Sequence, residues 1–296
     1  MISLSRKDWI LLILLTLCWG VNWPIMKLGV LAFPPLSFRT LSMLLGLPTL
    51  WLAARLLRTP LAIPAGGAPA VVRLAIPNMV LWHMLMILGL SMLPSGRAVI
   101  LGYTMPAWAV LGGLVFFGER IGKTAWLGVG CAVGGALLLL SGEFSAISGR
   151  PLGSLLVLVA AACWGYGTVA MKRTPIEIPT VALTFWMLTL TTVVMGAASW
   201  LFERDAWRLP DAVEWSAIVY NAVVIFGFAH AAWFRLARTL PPFASSLSIM
   251  MIPVVGVFCG AWLLGETPHW RDYGAMLLIL AAMSIVLLKP GSPGRT

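Results

Sequence analysis

Charge is what this chain has least of. Only 10% of its 296 residues are Asp, Glu, Lys or Arg, against about a quarter in soluble domains. Hydrophobic residues make up 60%, and the mean hydropathy is +0.95. Such a chain cannot hide its apolar surface from water in one compact core, so an all-α integral membrane protein is expected. Acidic groups are scarcer than basic ones, ten against twenty. None falls in the middle of an apolar run: Asp8, Glu119, Glu266 and Asp272 all stand at run ends. Transport built around a membrane-embedded carboxylate is therefore disfavoured.

Other absences narrow the reading. No GxxxxGK[ST] loop occurs, so energy has to come from a solute or ion gradient rather than from bound nucleotide. No HExxH, GxSxG or paired carboxylates occur, which argues against an intramembrane enzyme. Cys18, Cys131, Cys163 and Cys259 lie inside apolar runs without metal-ligand spacing and read as small buried hydrophobes. No metal or cofactor is expected. The run after Arg6 and Lys7 is too long for a signal peptide and lacks a small-residue cleavage site, so it reads as a retained first span. The net charge of +10 sits in short connections between apolar runs, which suits orientation in a bilayer and not nucleic acid.

Runs of about 20 apolar residues predict ten transmembrane helices. They fall near 9–30, 35–54, 71–92, 95–117, 123–141, 152–172, 180–201, 214–235, 242–264 and 271–288. With the N-terminus in the cytoplasm, the inner ends carry Arg6, Lys7, Arg55, Arg58, Arg73, Arg120, Lys123, Lys172, Arg173, Arg235, Arg238, Lys289 and Arg295. The outer ends carry only Lys27, Arg97, Arg150, Arg204, Arg208 and Arg271. The inner excess predicts that both termini are cytoplasmic.

The chain also repeats itself. CWGVNWPIMK at 18–27 returns as CWGYGTVAMK at 163–172, an offset of 145. LeuPro at 93–94 returns at 240–241, and Pro106 returns as Pro253. GlyGlu at 118–119 returns at 265–266, and His83 returns as His230. All four have an offset of 147. An internal duplication is expected, with repeats over 1–146 and 147–296. Each repeat holds five helices, an odd number, so the second enters the membrane inverted. Such a 5+5 inverted repeat suits alternating access to a central site.

These markers resemble the drug/metabolite transporter superfamily in its ten-helix EamA branch. They are CWG with Lys27, ProPro at 34–35, Arg39, Pro106 followed by GlyGlu, and their echoes in the second half. Within that branch the chain looks most like bacterial amino-acid exporters, aromatic amino acid exporters included. The resemblance implies a basket of helices around a central cavity, with the fifth and tenth outermost, in the bacterial inner membrane.

The ionisable residues inside the spans are Arg39, His83 and His230, each costly in hydrocarbon and hence a functional candidate. The histidines read either as a pair meeting the polar end of a substrate or relaying protons, or as neutral groups bonding neighbouring helices. Lys27 and Lys172 read as entrance caps or as snorkelling anchors. Arg39 has no basic counterpart, since the offset gives Thr184; it either holds an outer gate or meets a substrate carboxylate. Trp82, Tyr103, Trp164, Tyr166 and Met250 are expected to shape an adaptable apolar pocket, with Asn22, Asn78 and Asn221 as uncharged polar contacts. Pro106 and Pro253 are candidate hinges. Gly128, Gly130, Gly134 and Gly135 favour close helix packing, in a monomer or a homodimer. The leading expectation is export of amino acids with apolar or aromatic side chains, the rival one efflux of organic cations.

Overall fold

Inside hydrocarbon a helix satisfies its own backbone, so apolar runs of this length become helices whatever their neighbours. The computed structural model describes residues 6–145, 151–236 and 242–287. These form ten helical spans: α1 Arg6–Gly29, α2 Pro35–Leu56, α3 Ala68–Met92, α4 Ser95–Phe117, α5 Lys123–Ser145, α6 Pro151–Arg173, α7 Thr180–Glu203, α8 212–236, α9 Pro242–Leu264 and α10 Trp270–Leu287. Among the described residues nine are long and apolar enough to cross a membrane, and the apolar stretch Ser248–Leu264 of α9 is shorter. The expected limits agree to within a few residues. Arg150, Arg238, Leu240, Pro241, Lys289, Arg295 and the side chain of Arg235, all used in the sequence reading, lie outside the described residues.

Local chemistry sets the ends. Pro34 and Pro179 hold extended backbone (ψ 125° and 137°) immediately before α2 and α7, because a pyrrolidine ring opens a helix better than it continues one. Gly118 and Gly265 both adopt φ +65° after α4 and α9. In each case the following glutamate N–H reaches back six residues to a glycine carbonyl, Gly113 or Gly260. The GlyGlu pair is thus a left-handed helix stop used twice.

Lipid tails are as apolar as leucine, so helix association relies on close fit. The glycine of each CWG supplies it. A methyl group on Gly20 would lie 2.5 Å from Val255 Cβ, and one on Gly165 would lie 2.7 Å from Trp108 Cβ. Gly20 therefore seats α1 on α9, and Gly165 seats α6 on α4. The most extensively packed pairs recur in this way. α3 packs on α6 and α8 on α1; α2 packs on α8 and α7 on α3. α2 pairs with α7, and α5 pairs with α10. Exchanging the first five helices for the last five leaves this pairing unchanged.

Two spans depart from α geometry. Ile76–Leu81 in α3 and Tyr220–Ala229 in α8 are π-helical, a wide-turn form that concentrates at functional sites. α4 also breaks at Tyr103–Thr104 and resumes at Met105.

Candidate functional site

Arg39 is the fifth residue of α2 and is 2% exposed. Its Nη2 donates to His83 Nδ1 at 2.7 Å and its Nη1 to Asn221 Oδ1 at 3.0 Å. Nη1 also reaches Met26 Sδ at 3.4 Å. The guanidinium lies over the Phe226 ring, 5.2 Å from its centroid. Residues of α1, α2, α3 and α8 meet here, so both halves of the chain contribute. Among the described residues no carboxylate pairs with Arg39, and its Nε has no hydrogen-bond partner.

A guanidinium within the membrane costs about 2.5–3.5 kcal/mol on insertion scales. A hydrogen bond from a charged donor returns about 1.5–3 kcal/mol. Two good bonds and one ring face therefore offset the cost of burial, yet they leave the positive charge uncompensated by any negative one.

The contacts define proton positions. Arginine only donates, so His83 Nδ1 is the acceptor and the ring's proton is on Nε2. His230 Nδ1 lies 2.7 Å from the Ile225 carbonyl, which only accepts, so that nitrogen carries hydrogen. The two histidines flank one phenylalanine. His83 meets Phe226 edge-on at 6.2 Å, and His230 stacks on it at 5.8 Å. A side chain on Gly46 would collide with Phe226, so α2 holds the ring in place. The π-helical turn of α8 puts Asn221, Phe226 and His230 within reach of one cluster. Thr49 Oγ1 donates to the Ala222 carbonyl at 2.8 Å in the same stretch. Sequence reasoning did not single out Phe226; its only sequence signal is its position four residues before His230.

Two aromatic pairs involve residues close in sequence to His83 and Met26. Trp82 packs against Trp164 at 5.3 Å, and Trp23 against Tyr103 at 6.4 Å. Gly102, the last residue before the α4 break, lies against the tips of both Trp23 and Trp82. The structure thus brings Trp82, Tyr103 and Trp164 together with Trp23. It does not bring in two others. Tyr166 packs on Phe116 at 4.8 Å and lines a side groove of about 660 Å³ with Trp108 and Pro77. Met250 faces Ser284 of α10, its Sδ 3.9 Å from the hydroxyl. Asn22 is buried, and its Oδ1 has no hydrogen-bond partner among the described residues.

The candidate gate and hinge residues differ between the halves. Lys27 Nζ donates to the carbonyls of Leu90 and Ser91 at 3.1 and 2.9 Å, closing the end of α3. Lys172 is exposed, and beside it Arg173 pairs with Glu119 at 2.5 Å. Pro106 stands in the first turn after the α4 break, whereas Pro253 lies inside continuous α9.

Carboxylates do other work at the helix ends. Glu203 accepts from the N–H groups of Leu36 and Ser37 at 2.9 and 2.7 Å. Glu266 accepts from those of Ser95 and Gly96 at 2.5 and 3.0 Å. Each anion meets the positive end of a helix dipole. Arg97, counted in the sequence only among the outer-end basic residues, pairs with buried Asp272 at 2.7 Å. Outside the spans, Arg208 donates to the Glu214 carboxylate, which raises the guanidinium above its ordinary range.

Ten apolar helices in a twice-used packing order, with the polar chemistry in the interior, define a polytopic membrane protein. The profile of the EamA-like transporter family matches residues 7–141 and again 151–288. The chain belongs to that family. It is 28% identical to the uncharacterized transporter YoaV of Bacillus subtilis over 258 residues, covering 85% of this chain and 86% of that one. It is 27% identical to the uncharacterized inner membrane transporter YedA of Escherichia coli K12, covering 93% and 88%. A probable amino-acid metabolite efflux pump of the same bacterium is 24% identical, with 95% of each chain covered. A solved structure at 22% identity superimposes with a TM-score of 0.65 over 96% of this chain and 99% of that one, so the fold is shared.

Proposed function

We propose that the chain exports amino acids with apolar or aromatic side chains across the bacterial inner membrane by alternating access. One observation carries the reading. The buried Arg39–His83–Asn221 cluster is built from both halves of the chain, and aromatic pairs involve Trp82, the residue before His83, and Trp23, three residues before Met26. A site shared by two similarly packed halves opens to either side when one half rocks against the other. The two halves act as inverted repeats, and both termini face the cytoplasm. The printed name of the 24% relative, an amino-acid metabolite efflux pump, supports the substrate class.

The test is efflux from proteoliposomes loaded with labelled tryptophan, phenylalanine, leucine or threonine, with and without a pH gradient. Efflux of the aromatic and apolar members, lost when Trp82, Tyr103 and Trp164 are together changed to alanine, supports the reading. Absence of efflux for all four overturns it.

A further inference from the structure

We propose that Arg39 and Asn22 are the two ends of a seat for a zwitterionic α-amino acid, Arg39 receiving the carboxylate and Asn22 the ammonium. The proposal rests on the export reading above and specifies the groups that would recognise the substrate.

Four buried side-chain polar atoms have no hydrogen-bond partner among the described residues: Arg39 Nε, and oxygens of Asn22, Asn78 and Ser154. Buried polar atoms are nearly always paired, so each such atom calls for an explanation. Two of the four are placed together by the fold. Asn22 and Met26 are four residues apart on continuous α1 and share a face of it. The Met26 sulfur lies 3.4 Å from Arg39 Nη1. Asn22 therefore lies one helical turn along α1 from Met26, the residue whose sulfur touches the Arg39 guanidinium. Asn22 is 7% exposed and Arg39 2%, so neither atom is served by bulk water.

The chemistry of the two atoms is opposite. Arg39 offers an N–H and an unneutralised positive charge, surrounded by neutral acceptors only. Its planar fork matches a carboxylate in both charge and shape. Asn22 offers a carbonyl oxygen, which takes a hydrogen bond from an ammonium. A free α-amino acid carries both groups on one α-carbon, two bonds apart. Trp23, which is next to Asn22 in α1, contacts Tyr103 and the aromatic wall, where the side chain would lie. The same arrangement opposes an organic cation, since its charge would face Arg39 with no anion between them. Arg39 has Thr184 as its counterpart in the second half, so the seat has one carboxylate end only.

The experiment is a tryptophan-fluorescence titration of the purified full-length wild-type protein in detergent, alongside efflux of labelled phenylalanine from proteoliposomes. The ligands are L-phenylalanine, phenethylamine, which lacks the carboxylate, and 3-phenylpropionate, which lacks the ammonium. Phenylalanine is expected to bind about 10²-fold more tightly than phenethylamine and about tenfold more tightly than 3-phenylpropionate. Asn22→Leu should remove the preference for phenylalanine over 3-phenylpropionate and spare the preference over phenethylamine. Arg39→Lys should lose most binding, because a point charge does not replace the fork.

The wild-type comparison stands even if an Arg39 variant fails to fold. Phenethylamine binding as tightly as phenylalanine, with efflux intact, overturns the seat and leaves the exporter. No phenylalanine efflux, with carboxylates still preferred over phenethylamine, overturns the exporter and supports the carboxylate end. Equal binding of all three ligands without efflux overturns both.

Discussion

At the scale of the residue, the central fact is a buried arginine whose partners among the described residues are all neutral. His83 matters here as an acceptor, because its Nδ1 receives Arg39 Nη2–H at 2.7 Å. His83→Ala leaves that N–H unpaired and should cost about 1–3 kcal/mol, read as a lower thermal midpoint in detergent. His83→Gln, which can present an amide oxygen, should recover part of the loss. If His83→Ala melts at the wild-type temperature, the hydrogen bond contributes nothing to stability. The sequence alone marked Arg39, His83 and His230 as unusual, because charge and imidazole stand out in apolar runs. It could not show that Arg39 meets His83 and Asn221, since those contacts span 44 and 182 residues. Phe226 was invisible for a related reason: one phenylalanine among twelve carries no signal until its neighbours are known.

At the scale of the element, the repeated CWG motif has a packing role that composition could not assign. Gly20 and Gly165 each admit the backbone of a crossing helix. Gly20→Val or Gly165→Val should overpack the crossing and cost about 1–3 kcal/mol. Gly130→Ala faces open space inside α5 and should keep or slightly raise the melting temperature. Equal melting for all three variants would refute the packing role. The break in α4 has a separate consequence. Pro106 follows it, and Tyr103 stands at it beside Trp23. Pro106→Ala should let the helix run straight, shift Tyr103 and slow efflux several-fold with little change in stability. Unchanged initial rates would argue against a hinge there. Helix limits were legible because a span needs a continuous apolar run. The π-helical stretches were not, because i→i+5 bonding leaves no mark in residue type. In α8 that geometry lets His230 Nδ1 bond to the carbonyl five residues earlier.

At the scale of the whole molecule, many polar ties join helix ends distant in sequence. Glu203 caps α2, Glu266 caps α4, Lys27 closes α3, and Arg97 holds Asp272. In the proposed orientation all four lie on the outer side. Glu203→Gln and Glu266→Gln each replace a charge-assisted cap with a neutral one, at about 1 kcal/mol. Together they should favour an outward-open form. A cysteine at position 91 in a cysteine-free background should then react faster with a membrane-impermeant thiol reagent; an unchanged rate would deny these ties a gating role. Orientation has its own test. An alkaline phosphatase fusion should be inactive after residue 296 and active in the connection between α5 and α6. The reverse pattern would invert the topology.

The sequence by itself determined that this is a membrane protein of about ten helices, where those helices lie, and that its two halves share markers. It did so because hydropathy, helix stops and duplicated residues act locally or by simple comparison along the chain. The tertiary structure decided which of the unusual residues meet. It drew Arg39, His83, Asn221 and Phe226 into one cluster and set Tyr166 and Met250 elsewhere. Those meetings depend on helix crossings, glycine contacts and a widened turn in α8, which arise only when distant segments pack.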